Sequence, residues 1–352
     1  MCGRIHNDSL LPGDILLYRV TDSIKNLHSA LIRKLDGTEV SHAGLFMGDC
    51  VAEALAVGEH AGLGTQPLKD SIAGCDWVAV RRLQHTPGDM QPVLGTAQMY
   101  LDQGNRYAYG QILLLAMVCS TRKLNLSNPL LRRIVYSAIY NTSALVRRMQ
   151  AGGKQPMICS EFVYRDYDEA MPDKVDPYTL EIEPLWHAAA RPRLLGRRRR
   201  AEKAVATGHF HPKSLLGQLQ AETGNLRTAI GTTKALAAAP AETSEAELDA
   251  MIAAYLEAES GTVPKTAALA AAGLEVTMPD LRDAVGAFAD SLHEATDAGR
   301  RLGRGAFADA AAHACATPAD TLLEISADFV TPGDLWRSAS LVTIGELRLE
   351  RG

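Results

Sequence analysis

Hydrophobic and polar positions divide this chain into stretches of different texture. Residues 11–85 carry apolar runs of strand length. The turn signal Leu11-Pro12-Gly13-Asp14 leads into Ile15-Leu16-Leu17-Tyr18-Arg19. Residues 22–35 have helical spacing, with Ile24, Leu27, Leu31 and Leu35 apolar. Two strand-like runs, Val40 to Met47 and Cys50 to Leu55, flank Gly48-Asp49 and predict a tight hairpin. Trp77 to Leu83 predicts a further strand.

Residues 92–175 have helical periodicity. It predicts helices over Val93–Gln103, Tyr109–Ser120 and Leu130–Met149, then a loop at Gly152-Gly153. A helix is predicted from near Cys159 to about Glu169, stopped by Met171-Pro172. Residues 176–325 are Ala-rich and broken by Pro and Gly, with helices predicted over 213–238, 243–258, 264–272, 278–302 and 305–315. The stretch 237–244 has linker composition. Turn and strand character returns in Thr331-Pro-Gly-Asp-Leu-Trp and in Leu341 to Leu349. There is no internal repeat of fixed period. The fold class this predicts is α+β: a small antiparallel sheet or half-barrel against a helical layer.

Composition narrows the function. The net charge of −5 argues against a nucleic-acid-binding surface. The run Arg197 to Arg200 is local and reads as a solvated face. Six cysteines at 2, 50, 75, 119, 159 and 315 form no CxxC pair and no zinc-spaced cluster, which points to a reducing compartment. His209-Phe-His211 lacks a nearby Cys or acidic cluster, so no metal is expected. The start, MCGRIHNDSL, has no apolar core of signal-peptide length. The longest apolar run, Ile112 to Cys119, is far shorter than the roughly 20 residues of a membrane span and reads as a buried helix. A cytoplasmic protein is therefore expected as synthesised, with leaderless secretion left open. The sequence does not specify an oligomeric state.

The candidate chemistry lies in three residues. Cys159 falls at the first turn of a predicted helix, behind a Gly-rich loop. A helix N-terminus stabilises a thiolate and offers N–H groups to an oxyanion. His42 lies in the strand Ser41-His42-Ala43-Gly44-Leu45-Phe46. If Gly48-Asp49 is a two-residue turn, Met47 faces Cys50 and Gly44 faces Glu53. His42 and Glu53 are then diagonal neighbours on one face, roughly 7 Å apart between backbones. A carboxylate on one imidazole nitrogen leaves the other to accept a thiol proton. Each residue alone has a plainer reading: a core thiol, a structural imidazole, a polar strand residue.

Together these segments resemble a family. Ser41 to Leu45 with Glu53-Ala54, followed by Ile158-Cys159-Ser160-Glu161-Phe162-Val163-Tyr164, look like the two halves of the motif in circularly permuted NlpC-like papain-fold thiol hydrolases. Pro12 to Leu16 resembles that family's first strand, and Gly104 to Gly110 its Gly-x-x-Tyr segment. Thr331 to Leu335 with the last strand resembles its C-terminal closure. The resemblance implies a permuted papain-like fold with Cys159 as nucleophile, His42 as base and Glu53 as the orienting residue. It implies a catalytic domain over 11–175, a large helical insertion over 185–325 before the last strand, and a return at 328–350. The Cys159 N–H is the expected oxyanion donor and Tyr18 a possible second. The implied reaction is amide cleavage (peptide, peptidoglycan or isopeptide-like) through a thioester, with no cofactor. Two alternatives stand beside it: a phospholipid acyl hydrolase or acyltransferase using the same residues, and a non-catalytic binding protein on such a fold.

Overall fold

The computed structural model describes residues 6–23, 26–55, 62–103, 107–108, 111–151, 155–171, 177–182, 210–231, 243–261, 275–301 and 317–348. The predicted helices over 264–272 and 305–315, the basic run at 197–200 and His209 lie outside them.

The chain is α+β. Its centre is a six-stranded antiparallel sheet built from β1 (Ile15–Val20), β2 (His42–Phe46), β3 (Cys50–Leu55), β4 (Gly62–Pro67), β5 (Cys75–Leu83) and β8 (Leu341–Leu347). The strand order is β4-β3-β2-β1-β5-β8, so the last strand of the chain lies against β5, at the edge opposite β4. A parallel pair, β6 (Tyr107–Ala108) and β7 (Gln155–Pro156), forms a separate two-stranded sheet beside β4.

Alternation sorts the strand residues onto two faces. Ile15, Leu17, Ala43, Leu45, Ala52, Ala54 and Ala79 belong to the large core shared with the helices. Leu16, Tyr18, Phe46, Val51, Val78, Val80 and Leu347 form a second, smaller core with Leu10 and Ile72. His42 is paired with Tyr18 across β2 and β1, so it shares the second face.

The helical layer begins with α1 (Leu27–Asp36) and a short α2 (Leu68–Ser71). Then come α3 (Gln91–Asp102), α4 (Gln111–Thr121), α5 (Pro129–Ala151) and α6 (Cys159–Asp168). The apolar run in α4 is buried on every side, Leu113 to Thr121 included. Burial of each large aliphatic side chain contributes about 1.5–3 kcal/mol, and this explains a helix with no polar face.

The later helices are α7 (Leu215–Thr223), α8 (Leu226–Gly231), α9 (Glu245–Ser260), α10 (Met278–Arg301), α11 (Pro318–Asp328) and α12 (Pro332–Arg337). The single helix predicted over 213–238 is interrupted at Gly224, which takes a left-handed φ of +74°. That conformation is a C-cap and ends the helix. The periodicity did not mark α11, which is capped by Thr317 and opens with Pro318. The expected turn at 331–336 is a short helix with a Thr331–Asp334 capping box. Helices α9 and α10 pack on α5, and their apolar faces join the core of the sheet side.

Hydrogen bonds near both ends hold α6, the helix of Cys159. Near its start, Ser160 Oγ donates to the Val330 carbonyl at 2.7 Å. Near its end, the Tyr167 hydroxyl donates to the Gly13 carbonyl. Gly13 has φ +91° in the turn before β1, a conformation that favours glycine. The 330 segment is fixed in turn by buried charges. Arg122 Nε binds Asp36 at 2.7 Å, and its Nη2 binds Asp334 at 2.5 Å. Arg337 joins both carboxylates, at 3.3 and 3.0 Å.

Candidate active site

The β2–β3 hairpin has the register that its Gly48-Asp49 turn predicts. Met47 N–H donates to the Cys50 carbonyl at 2.9 Å, and Gly44 lies opposite Glu53. Gly48 carries φ +119°. His42 is therefore diagonal to Glu53, and the side chains meet: Nε2 to Oε2 is 2.6 Å. A side-chain hydrogen bond also joins His42 to Cys159. With Nε2 on Glu53, the ring nitrogen remaining for the sulfur is Nδ1. His42 is the first residue of β2 and Cys159 the first of α6, and α6 packs on β2 and β3. The three residues proposed from sequence thus form one hydrogen-bonded chain. Cys159 is 0% exposed, and the His42 and Glu53 side chains are 17% and 3% exposed.

The electrostatics of His42 and Glu53 are coupled through their contact. Burial pushes the His42 ring towards its neutral form. The charge and hydrogen bond of the Cys159 sulfur, then those of Glu53, outweigh burial and raise the ring to about 10. Burial likewise opposes ionisation of Glu53, but the His42 bond and charge, then Gln66 and Ser71, hold it below the ordinary carboxylate value. The opposite shifts of the ring and the carboxyl share one cause, their contact with each other inside a buried cluster.

The other described cysteines differ. Burial, then Asp49, raises Cys50 to about 11. Burial, then the Glu53 charge, raises Cys75 to about 12. Cys119 is pushed up by burial alone.

Tyr18, on β1, lies beside His42. Its ring lies 5.0 Å from the His42 ring, tilted by 50°. Its hydroxyl is paired with Ser71 Oγ at 2.6 Å and the residue is 1% exposed. Burial, then the Glu53 charge, keeps the phenol protonated. Tyr18 thus borders the cluster, its hydroxyl paired with Ser71 and its ring against His42.

The N-cap of α6 is Ile158, which brings no side-chain acceptor to the first N–H groups. Helices α7, α9, α11 and α12 are each capped by a Ser or Thr hydroxyl. The start of the Cys159 helix therefore lacks the local acceptor that these have.

Sequence reading missed Gln66 and Ser71. Gln66 Nε2 donates to Glu53 Oε1 at 2.5 Å. The signal was faint: Gly62-Leu-Gly-Thr-Gln-Pro67 shows no strand alternation, yet forms β4. Among the described residues no group of His, Cys, Asp and Glu has an arrangement that holds a metal. No helix in the described residues is long and apolar enough to cross a membrane. In comparisons with known proteins, the chain matches no family model, no curated protein and no solved structure.

Proposed function

We propose that this chain is a cysteine hydrolase on a permuted papain-like fold, cleaving an amide bond through a thioester. The observation that carries the reading is the continuous Cys159–His42–Glu53 hydrogen-bonded chain at a helix start. A buried structural histidine needs neither a thiol on one side nor a carboxylate on the other.

Cys159 attacks the carbonyl carbon as a thiolate, and the carbonyl becomes a tetrahedral oxyanion. The Cys159 N–H and the positive end of α6 stabilise that charge. Collapse breaks the C–N bond, and His42 gives its proton to the departing amine. His42 then takes a proton from water, whose oxygen attacks the thioester. The acid is released and the sulfur leaves as thiolate. Glu53 holds Nε2 throughout, keeping Nδ1 directed at the sulfur. The helical region after residue 185 is read as an insertion before the closing strand β8.

The test is parallel incubation with a mixed peptide pool and with phospholipid vesicles, using wild type and Cys159→Ala. New amine termini that need Cys159 support the amidase. Free fatty acid that needs Cys159 moves the enzyme to lipid esters. No Cys159-dependent product from either sinks the hydrolase reading in favour of a binding protein.

A further inference from the structure

The polar chain does not end at Glu53. Across β2 and β3, Gly44 opposes Glu53 and His42 is the diagonal neighbour. Across β3 and β4, Gly64 opposes Glu53 and Gln66 is the diagonal neighbour. Glu53 is flanked by glycine on both strands, so no side chain directly opposite stands between it and its diagonal neighbours. One oxygen receives His42 and the other receives Gln66, and Ser71 adds a further bond to the carboxylate. Gln66 sits on β4, at an edge of the six-stranded sheet. An edge position on a Gly-rich strand gives little packing reason for a glutamine whose amide turns inward.

We propose that Gln66 is a positioning residue of this site: its amide fixes the Glu53 carboxylate in the rotamer that binds His42 Nε2. The proposal rests on the thiol-hydrolase reading and adds a fourth member to it. A carboxylate bound at one oxygen alone can rotate or take up a proton. Bound at both, it presents a fixed charge to His42 Nε2. Gln66 thus acts on the sulfur at two removes, through Glu53 and then the ring.

The groups facing this cluster are Tyr18 from β1, Ser71 from α2, Cys75 from β5 and Cys159 from α6. Tyr18 and Cys75 are both pushed up, first by burial and then by the Glu53 charge, so neither titrates near neutral pH.

The experiment reads the ultraviolet absorbance of the Cys159 thiolate against pH, as each protein minus its own Cys159→Ser counterpart. This readout needs no substrate and no access to the sulfur. Wild type should show thiolate at neutral pH. Gln66→Met, of similar length but without a donor, should move thiolate formation upward by about half to one pH unit. In a Glu53→Gln background, Gln66→Met should shift nothing further. If Gln66→Met leaves the wild-type profile in place, or shifts it equally in the Glu53→Gln background, the positioning role is overturned and the hydrolase reading stands. If wild type itself shows no thiolate at neutral pH, the hydrolase reading fails and this role fails with it.

Discussion

Gly44 lies directly opposite Glu53, and a methyl group at Gly44 would come 3.0 Å from the Tyr18 hydroxyl and 2.9 Å from Val51 Cγ1. The glycine in the Ser-His-Ala-Gly segment therefore keeps room for the aromatic ring that packs on His42. Gly44→Ala should displace Tyr18 and disturb the His42–Glu53 pair. Overpacking of this kind costs about 1–3 kcal/mol. The expected result is a lowered urea midpoint together with slower alkylation of Cys159. A variant as stable and as reactive as wild type would show that this space is not needed.

Iodoacetamide should distinguish Cys159 from the other described thiols. Near neutral pH a thiol at its ordinary value is only a few per cent ionised, and Cys50 and Cys75 are raised further, to about 11 and about 12. Peptide mapping after a short exposure should find Cys159 alkylated at least about tenfold faster than Cys50 or Cys75. His42→Ala should remove most of that advantage. Equal labelling of the three would remove the case for an activated thiol.

His42 should carry its proton far above neutrality. Its folded value is raised from 6.5 to about 10. The stabilisation linked to that proton is complete below about 6.5 and is lost as pH rises through about 10. Ring resonances followed by NMR should titrate near the upper value in wild type. In Cys159→Ala the midpoint should fall by more than about one unit, because the sulfur is the strongest influence raising it against burial. A midpoint unchanged by that substitution would separate the ring from the thiol.

The buried charges at Arg122 anchor the segment that holds the start of α6. Arg122→Met leaves Asp36 and Asp334 buried, with the half-buried Arg337 and the hydroxyl and N–H of Thr331 left to answer them. Loss of one partner from such a group costs about 3–5 kcal/mol. Urea unfolding should show a loss of that size, partly recovered when Asp36→Asn and Asp334→Asn are added. A loss under about 1 kcal/mol would mean that water reaches the cluster.

Much of the sheet was legible because its cues are local. Ile15 to Tyr18, His42 to Phe46, Cys50 to Leu55 and Trp77 to Leu83 are apolar runs of strand length bounded by turns. The hairpin register followed from two residues, Gly48 and Asp49, and it set which side of the strand His42 and Glu53 share. Strand β4 was hidden, since two glycines and a proline in six residues leave no alternating pattern. Its pairing comes from β3, whose edge it completes. Helix α11 was hidden for a different reason: its apolar positions become a face only against α10 and α8.

The sequence by itself determined the chemical groups and their local settings. It placed a thiol at a helix start, an imidazole and a carboxylate on one side of a hairpin, and a closing strand at the far end of the chain. Tertiary structure alone decided which of these meet. Whether α6 reaches His42 depends on bonds from Ser160 to Val330 and from Tyr167 to Gly13, 170 and 154 residues apart in sequence. The Arg122 cluster closes over separations of 86 and 212 residues. The turn of Tyr18 towards Ser71, and of Gln66 towards Glu53, depends on neighbouring strands and α2. Periodicity reports on residues within a few positions of one another, whereas these contacts exist only once the sheet and helices have packed.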